Sequence, residues 1–244
     1  AVTDIMLFYF TLKKAKYISL NPRIMHIKKH FVKDVIAIGI PSSITNFAQS
    51  FGMALLNSSL AIYGANKVAA MGITQKVYNI VILVIVGFAF GAQPLIGYNY
   101  GAKNWKRLRD ILHFDIWVQV IYAVIIGGIL ILFAKPITAL FMNQTEIVAS
   151  GNYMLMACLI TTPLVGIILV YTTVFQSIGN AWGAFIMAIS RQGVIYFFAV
   201  EILRHLSGYH GIVWAQAVTD VLTCIIGYLI YRFSLDLKDK IAKE

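Results

Sequence analysis

Charge is what this sequence has least of. Asp, Glu, Lys and Arg make up 12% of its 244 residues, about half the usual share for a soluble domain, which is near 25%. So little charge argues against a water-solvated globule. Acids are the scarcer sign, 10 against 20 Lys plus Arg. Cysteine is nearly absent. Cys158 and Cys224 stand alone inside apolar runs without CxxC spacing, which argues against a disulfide framework or a cysteine metal site. The five histidines, His26, His30, His113, His205 and His210, fall in loops or near interfaces and form no metal pair on an apolar face. Paired reactive acids, HExxH, a nucleophile elbow and Walker-type loops are missing too, so the chain is read as neither an enzyme nor ATP-driven.

What fills the sequence is apolar surface. Hydrophobic residues are 59% of the chain, and the mean hydropathy is +0.78. Runs of about 20 apolar residues match a bilayer core of about 30 Å at about 1.5 Å per helical residue. They are rich in Leu, Ile, Val, Phe and Ala and do not alternate, so helices fit better than barrel strands. The expected fold is an all-α polytopic membrane protein, a six-transmembrane-helix bundle. Its spans are placed at about 35–63, 68–98, 111–133, 147–178, 181–203 and 212–233. "AVTDIMLFYFTL" at 1–12 reads as the tail of a helix begun earlier, so the chain is expected to be a piece of a longer protein. The expected organisation is 1–12 as that tail, 13–33 as a basic cytoplasmic linker, 34–234 as the six-helix lobe and 235–244 as a cytoplasmic tail.

A net charge of +10 raises the question of nucleic acid. The cations sit at helix ends and in particular loops rather than in an aromatic-interleaved patch, so none is expected. Lys13, Lys14, Lys16, Arg23, Lys28, Lys29 and Lys33 fill the linker, Lys103, Lys106, Arg107 and Arg109 one loop, and Arg232, Lys238, Lys240 and Lys243 the tail. The loops between these are poor in cations, and the positive-inside rule then puts both ends in the cytoplasm.

The loop "FGAQPLIGYNYGAKNWKRLRD", Phe90 to Asp110, is the most distinctive string. Pro94 bends the helix end, Gly97 and Gly101 allow a tight turn or close backbone approach, and the cations face headgroups. Extended to "GFAFGAQPLIGYNYGAKNWKRLRD", it resembles the loop after the second helix of the C-terminal lobe in MATE (multidrug and toxic compound extrusion) transporters. "IGIPSSITNFAQ", "SRQGVIYFF" and "GIVWAQAVTD" agree, so the resemblance covers nearly the whole chain.

The resemblance implies one lobe of a twelve-helix transporter, here the C-terminal half. It implies secondary active efflux of cationic amphipathic compounds in exchange for H⁺ or Na⁺, in the cell inner membrane. The implied partners are the lipid bilayer, small organic cations and an N-terminal lobe of the same polypeptide. In one branch of the family a Glu at the place of Gln49, helped by an Asp near the place of Val165, binds the coupling cation. Neither acid is present, so the coupling ion is expected mainly in the N-terminal lobe. The alternatives are a lipid-linked oligosaccharide flippase of the same superfamily and a non-transport membrane scaffold.

Polar side chains inside spans are costly and are functional suspects. Asn46, Gln49, Ser50, Met53 and Asn57 follow i, i+3, i+4, i+7 and i+11 and share one helix face. That face either lines a substrate cavity or glues helices together. Tyr78, Gln192 and Tyr196 are further cavity candidates, since aromatic faces attract organic cations. Lys76, Arg191 and Asp220 are the candidate buried charges, with Asp220 read as the one acid far from an interface. Pro163 is expected to kink the fourth span, with Thr161 and Thr162 satisfying the carbonyls it frees.

Overall fold

The computed structural model describes the backbone of residues 29–235 and the side chains of residues 44 and 46–235. The expected helix tail at 1–12, the linker up to residue 28 and the tail beyond residue 235 lie outside the described residues. The chain divides into two units at Ile40 and Pro41. The described part of the first, residues 29–40, is helical; the second, from Pro41 onward, forms the packed lobe.

The described helices are α1 (Lys29–Ala61), α2 (Ala65–Gly101), α3 (Trp105–Leu132), α4 (Ala134–Phe141), α5 (Thr145–Ile160), α6 (Thr162–Ser177), α7 (Ala181–Gln192) and α8 (Val194–Ser234). Two of them start earlier than the apolar runs do. Helix α1 begins at Lys29 rather than near residue 35, inside the expected linker, and α3 begins at Trp105 rather than at 111. Hydropathy reports where lipid begins, whereas a helix begins at its cap, and Lys and Arg are good helix formers. Lys106, Arg107 and Arg109 therefore ride on the first turns of α3 instead of in a loop.

That shrinks the loop after α2 to three residues. Lys103 N–H donates to the Tyr100 carbonyl at 3.1 Å and Asn104 N–H to the Asn99 carbonyl at 2.9 Å. These bonds close a Schellman-like stop. The left-handed residue is Lys103, φ 57°, not Gly97 or Gly101 as expected. Asn104 then caps α3, its side-chain oxygen accepting from Arg107 N–H at 3.2 Å. The turn before α7 repeats the design with Gly179 at φ 74° and Asn180 accepting from Gly183 N–H at 2.9 Å. Gly97 faces the Ser177 carbonyl of α6, which a Cβ there would meet at an ordinary contact distance of 3.7 Å.

The fourth span is bent as expected. Helices α5 and α6 meet at 45°, with Thr161 between them and Pro163 in the first turn of α6, where its missing N–H costs nothing. The stretch Ala181–Ser234 is 54 residues long, about 80 Å as a straight helix and far more than one bilayer. It doubles back: Asn180 Nδ2 donates to Ser234 Oγ at 3.1 Å, so the two ends are neighbours. The reversal is at Gly208, φ 57° and ψ −130°, a region closed to side-chain-bearing residues. Gly211 completes it, since a Cβ there would run into the Leu203 carbonyl. The fifth and sixth spans are thus separate crossings.

Three apolar clusters hold the lobe together. One joins Leu56, Leu60, Met71, Met154 and Val200, another Ile96, Leu108, Ile168, Val174 and Phe175, and a third Val81, Ile85, Ala123 and Leu159. The outside is as apolar as the inside: Phe47 is 74% exposed, Phe114 70% and Leu83 69%. In water such a surface would aggregate, whereas against lipid tails it is the expected coat. The chain is a helical membrane protein.

Candidate functional site

Two helix breaks lie beside one another at mid-span, and polar side chains from both converge. Arg191 occupies the last turn of α7, where the carbonyl end of the helix dipole favours a cation. Its Nε donates to Asp220 Oδ1 at 3.2 Å and its Nη2 to the Tyr78 hydroxyl at 3.4 Å. Thr161, at the bend between α5 and α6, donates to Asp220 Oδ2 at 3.0 Å. Gln216, one turn ahead of Asp220 on α8, donates to Oδ1 at 3.0 Å. Asp220 is fully buried, and both of its oxygens have donors.

This network ties α2, the α5–α6 bend, α7 and α8 to one carboxylate. A charge removed from water costs several kcal/mol unless it is paired and hydrogen-bonded, and here it is both. Thr162 takes the expected role at the bend, donating to the Cys158 carbonyl at 3.4 Å, while Thr161 is drawn to Asp220 instead. Arg191 and Asp220 are thus brought together. Lys76 is not: it is exposed, which corrects its reading as a buried charge. Asp220 is already matched by Arg191, and a second ammonium brought beside it would gain nothing for its desolvation.

The other candidates separate into two groups. On α1, Asn46, Gln49, Ser50 and Met53 are exposed and Asn57 is half-buried. The packed face of the same helix carries Ala48, Leu56 and Leu60, with Gly52 close against the Gln192 carbonyl and the Tyr196 ring. The amide row therefore lies on the surface of the lobe. Ser50 bonds only within its own helix, to the Asn46 carbonyl at 3.1 Å. Tyr78 and Tyr196 are buried inside the lobe, and Gln192 is half-buried. Val165 is fully buried.

A second buried acid escaped the sequence reading. Asp115 and Gln119 sit one turn apart on α3, 4% and 0% exposed, with Gln119 Nε2 donating to Asp115 Oδ1 at 3.0 Å. Asp220 is therefore not the one acid buried in the described lobe. Placing the start of the span at 111 put Asp115 at its edge, whereas the helix actually starts ten residues before it. The signal was there, an Asp and a Gln at i, i+4 in "DIWVQ".

At the end of the lobe near Lys67, polar and aromatic groups form a belt. Asn66 donates to Glu146 at 2.7 Å, and Lys67 donates to Ser150 at 2.7 Å and lies over the Tyr209 ring at 4.9 Å. Trp214 Nε1 donates to the Tyr153 hydroxyl at 2.8 Å. Aromatic girdles of this kind mark a membrane–water interface. At the opposite end, Ser177 Oγ reaches the Gln93 carbonyl at 3.3 Å beside Pro94.

Comparison with known proteins settles what this lobe is. The model of the MatE family matches residues 41–200. The chain belongs to the MatE family. Among its relatives, the multidrug export protein MepA of Staphylococcus aureus is 29% identical over 225 residues, 92% of this chain and 49% of MepA. MepA of Staphylococcus saprophyticus is 26% identical over 229 residues, 94% of this chain and 50% of that protein. The chain spans about half the length of these curated relatives. Its fold matches a crystal structure of MATE in the bent conformation at a TM-score of 0.83 and 24% identity, over 99% of this chain and 54% of that one. It also matches a MOP superfamily transporter from Pyrococcus furiosus at a TM-score of 0.84 and 23% identity, over 97% and 54%. The fold is that of one MATE lobe. Seen so, the Asp220 network is the internal fastening of a MatE lobe, and the amide row of α1 belongs to its outer surface.

Proposed function

We propose that this lobe is the C-terminal half of a secondary active multidrug efflux transporter, which exports cationic amphipathic compounds in exchange for H⁺ or Na⁺. The observation that carries the reading is the match along 92% of the chain to multidrug export proteins. The other lobe of the same polypeptide completes the cleft, and the two rock around it, as transporters built from repeats do. Asn46, Gln49, Met53 and Asn57 line that cleft from α1. Amides and a thioether on a surface face offer adaptable contacts to varied ligands.

The coupling ion in this reading binds mainly in the N-terminal lobe, since Gln49 cannot exchange a proton. The protein sits in the inner cell membrane with both ends of this chain in the cytoplasm, the side that the cations of the α2–α3 turn favour. One observation favours a second reading, a flippase for lipid-linked oligosaccharides. Lys76 is exposed on α2, where an anionic lipid phosphate would find it.

Expression of the full-length gene in a drug-sensitive host tests both. Ethidium accumulation is expected to fall on expression and to recover with an uncoupler. Accumulation unchanged by expression overturns the efflux reading. Loss of lipid-linked sugar transfer on deleting the gene, with ethidium unchanged, would favour the flippase. Ala at Gln49 or Asn57 should change which drugs are exported while protein level stays the same. A matching fall in protein level for both variants points to helix glue instead.

A further inference from the structure

The buried pair on α3 has no role in the Asp220 network and none in the amide row. Gln119 gives its amide N–H to Asp115 Oδ1. That leaves Asp115 Oδ2 and Gln119 Oε1 buried with no hydrogen-bond partner. An acceptor of either kind is expensive to bury unpaired, and a carboxylate far more so. Asp115 has no ion pair among the described residues, although Asp220 shows that this lobe can supply one.

Nothing on the packed neighbours compensates it. Helix α6 carries no charged residue, and neither does the part of α2 from Val84 to Leu95. On α3 itself Arg109 pairs with Asp110 at 3.6 Å, its Nε without a partner, and Arg107 is exposed in the outer part of the groove described below. Lys67 pairs with Glu146, and Lys76, Lys135 and His113 are exposed. Among the tyrosines, Tyr78 bonds Arg191 and Tyr171 stacks on Tyr231. The pair is also seated by design. Gly166 of α6 faces Gln119, and a Cβ there would come within 3.0 Å of the Gln119 Cβ and 3.2 Å of its Oε1. A larger residue there would push the amide from its place by a few tenths of an ångström.

A route leads to Asp115. A groove of about 800 Å³ runs between α2 and α3. Gly87 and Gly91 hollow its α2 wall, with open space beside both. Arg107 and Asp110 stand at its charged end and Asp115 at its membrane-ward end, ten residues into the helix, about 15 Å from its start.

We propose that Asp115 Oδ2 and Gln119 Oε1 form a binding site for one small monovalent cation, a proton or Na⁺, reached along the groove between α2 and α3. A cation there converts two unsatisfied acceptors into a neutral, satisfied pair. Use of the site for coupling rests on the antiport reading above; cation binding itself does not.

The test uses the purified full-length transporter in detergent, with Na⁺ alone, protons alone and ethidium as probes. Infrared difference spectra across a pH titration read carboxylic acids, and radioactive Na⁺ reads sodium. In the wild type one of the two signals is expected to carry a contribution from this site, and Asp115→Asn is expected to remove that contribution while binding in the N-terminal lobe persists. A carboxyl band lost in the variant identifies the proton, and lost Na⁺ binding identifies sodium. Ethidium affinity should change by about tenfold across the effective cation range in the wild type and by less in Asp115→Asn, where only the coupling through the N-terminal lobe remains, since coupling is reciprocal. Identical carboxyl titration and identical Na⁺ binding in wild type and variant overturn the site. Should Asp115→Asn fail to fold, Gln119→Met replaces it, and the result is decided by whether that variant weakens Na⁺ binding or moves the carboxyl band. Should the wild type not bind ethidium while the Asp115 signal persists, the efflux reading falls and the cation site stands.

Discussion

Asp220 and Asp115 are both more than nine-tenths buried in the same lobe, and their surroundings are opposites. Asp220 lies where two helix breaks bring it donors from α7 and from the α5–α6 bend besides its own helix, so its charge is matched by Arg191, Tyr78 steadies that arginine, and Thr161 and Gln216 fill the remaining lone pairs. Asp115 lies on an unbroken helix with a single amide donor from its own next turn. Burial alone does not tell structural from functional acids. What tells them apart is whether the protein has supplied the counter-charge itself or left it to come from outside. A fully paired acid fixes the fold in one arrangement, while a half-paired one can exchange what completes it.

The contrast can be broken by substitution, and the largest effect belongs to the matched acid. Asp220→Ala strands Arg191 inside the lobe and is expected to destabilise the full-length protein by about 3–5 kcal/mol, read as a shift in the denaturant midpoint in detergent. Loss of the Thr161 hydroxyl is next. Thr161→Val keeps the shape but leaves Asp220 Oδ2 without a donor, at about 1.5–3 kcal/mol in the same measurement. Gly166→Ala pushes on Gln119 and costs about 1 kcal/mol, the low end for overpacking. It should also alter the cation titration of Asp115 while leaving the Asp220 network intact. The smallest effect is expected at the unmatched acid: Asp115→Asn should change stability by no more than about 0.5 kcal/mol, because it removes a buried charge that had little compensation to lose. A loss from Asp115→Asn as large as that from Asp220→Ala would erase the distinction and place both acids in the fold.

Much of this lobe could be read before any coordinates. Apolar runs gave the helical membrane class, Pro163 the bend in the fourth span, and the Gln-Pro and Gly-Tyr-Asn-Tyr-Gly string the family. The spacing of Asn46, Gln49, Ser50, Met53 and Asn57 put them on one helix face, because a helix converts sequence interval directly into direction. Helix starts were less legible. Caps at Asn104 and Asn180 act over three residues and are blind to hydropathy, so cationic first turns look like loop in the sequence. The left-handed position fell to Lys103 although glycines stood nearby, because the Schellman bonds fix which residue must turn.

The sequence by itself determined the solvent, since a chain with this little charge and this much continuous apolar surface is stable only where lipid replaces water. It also determined the helical class and the family. Only the tertiary structure decided the partners. Which buried charges meet depends on contacts between residues far apart in the chain, 59 positions for Thr161 and Asp220 and 113 for Tyr78 and Arg191, and no local period encodes those. That is why Lys76 and Asp115 changed places, the expected buried charge lying outside and the overlooked one within.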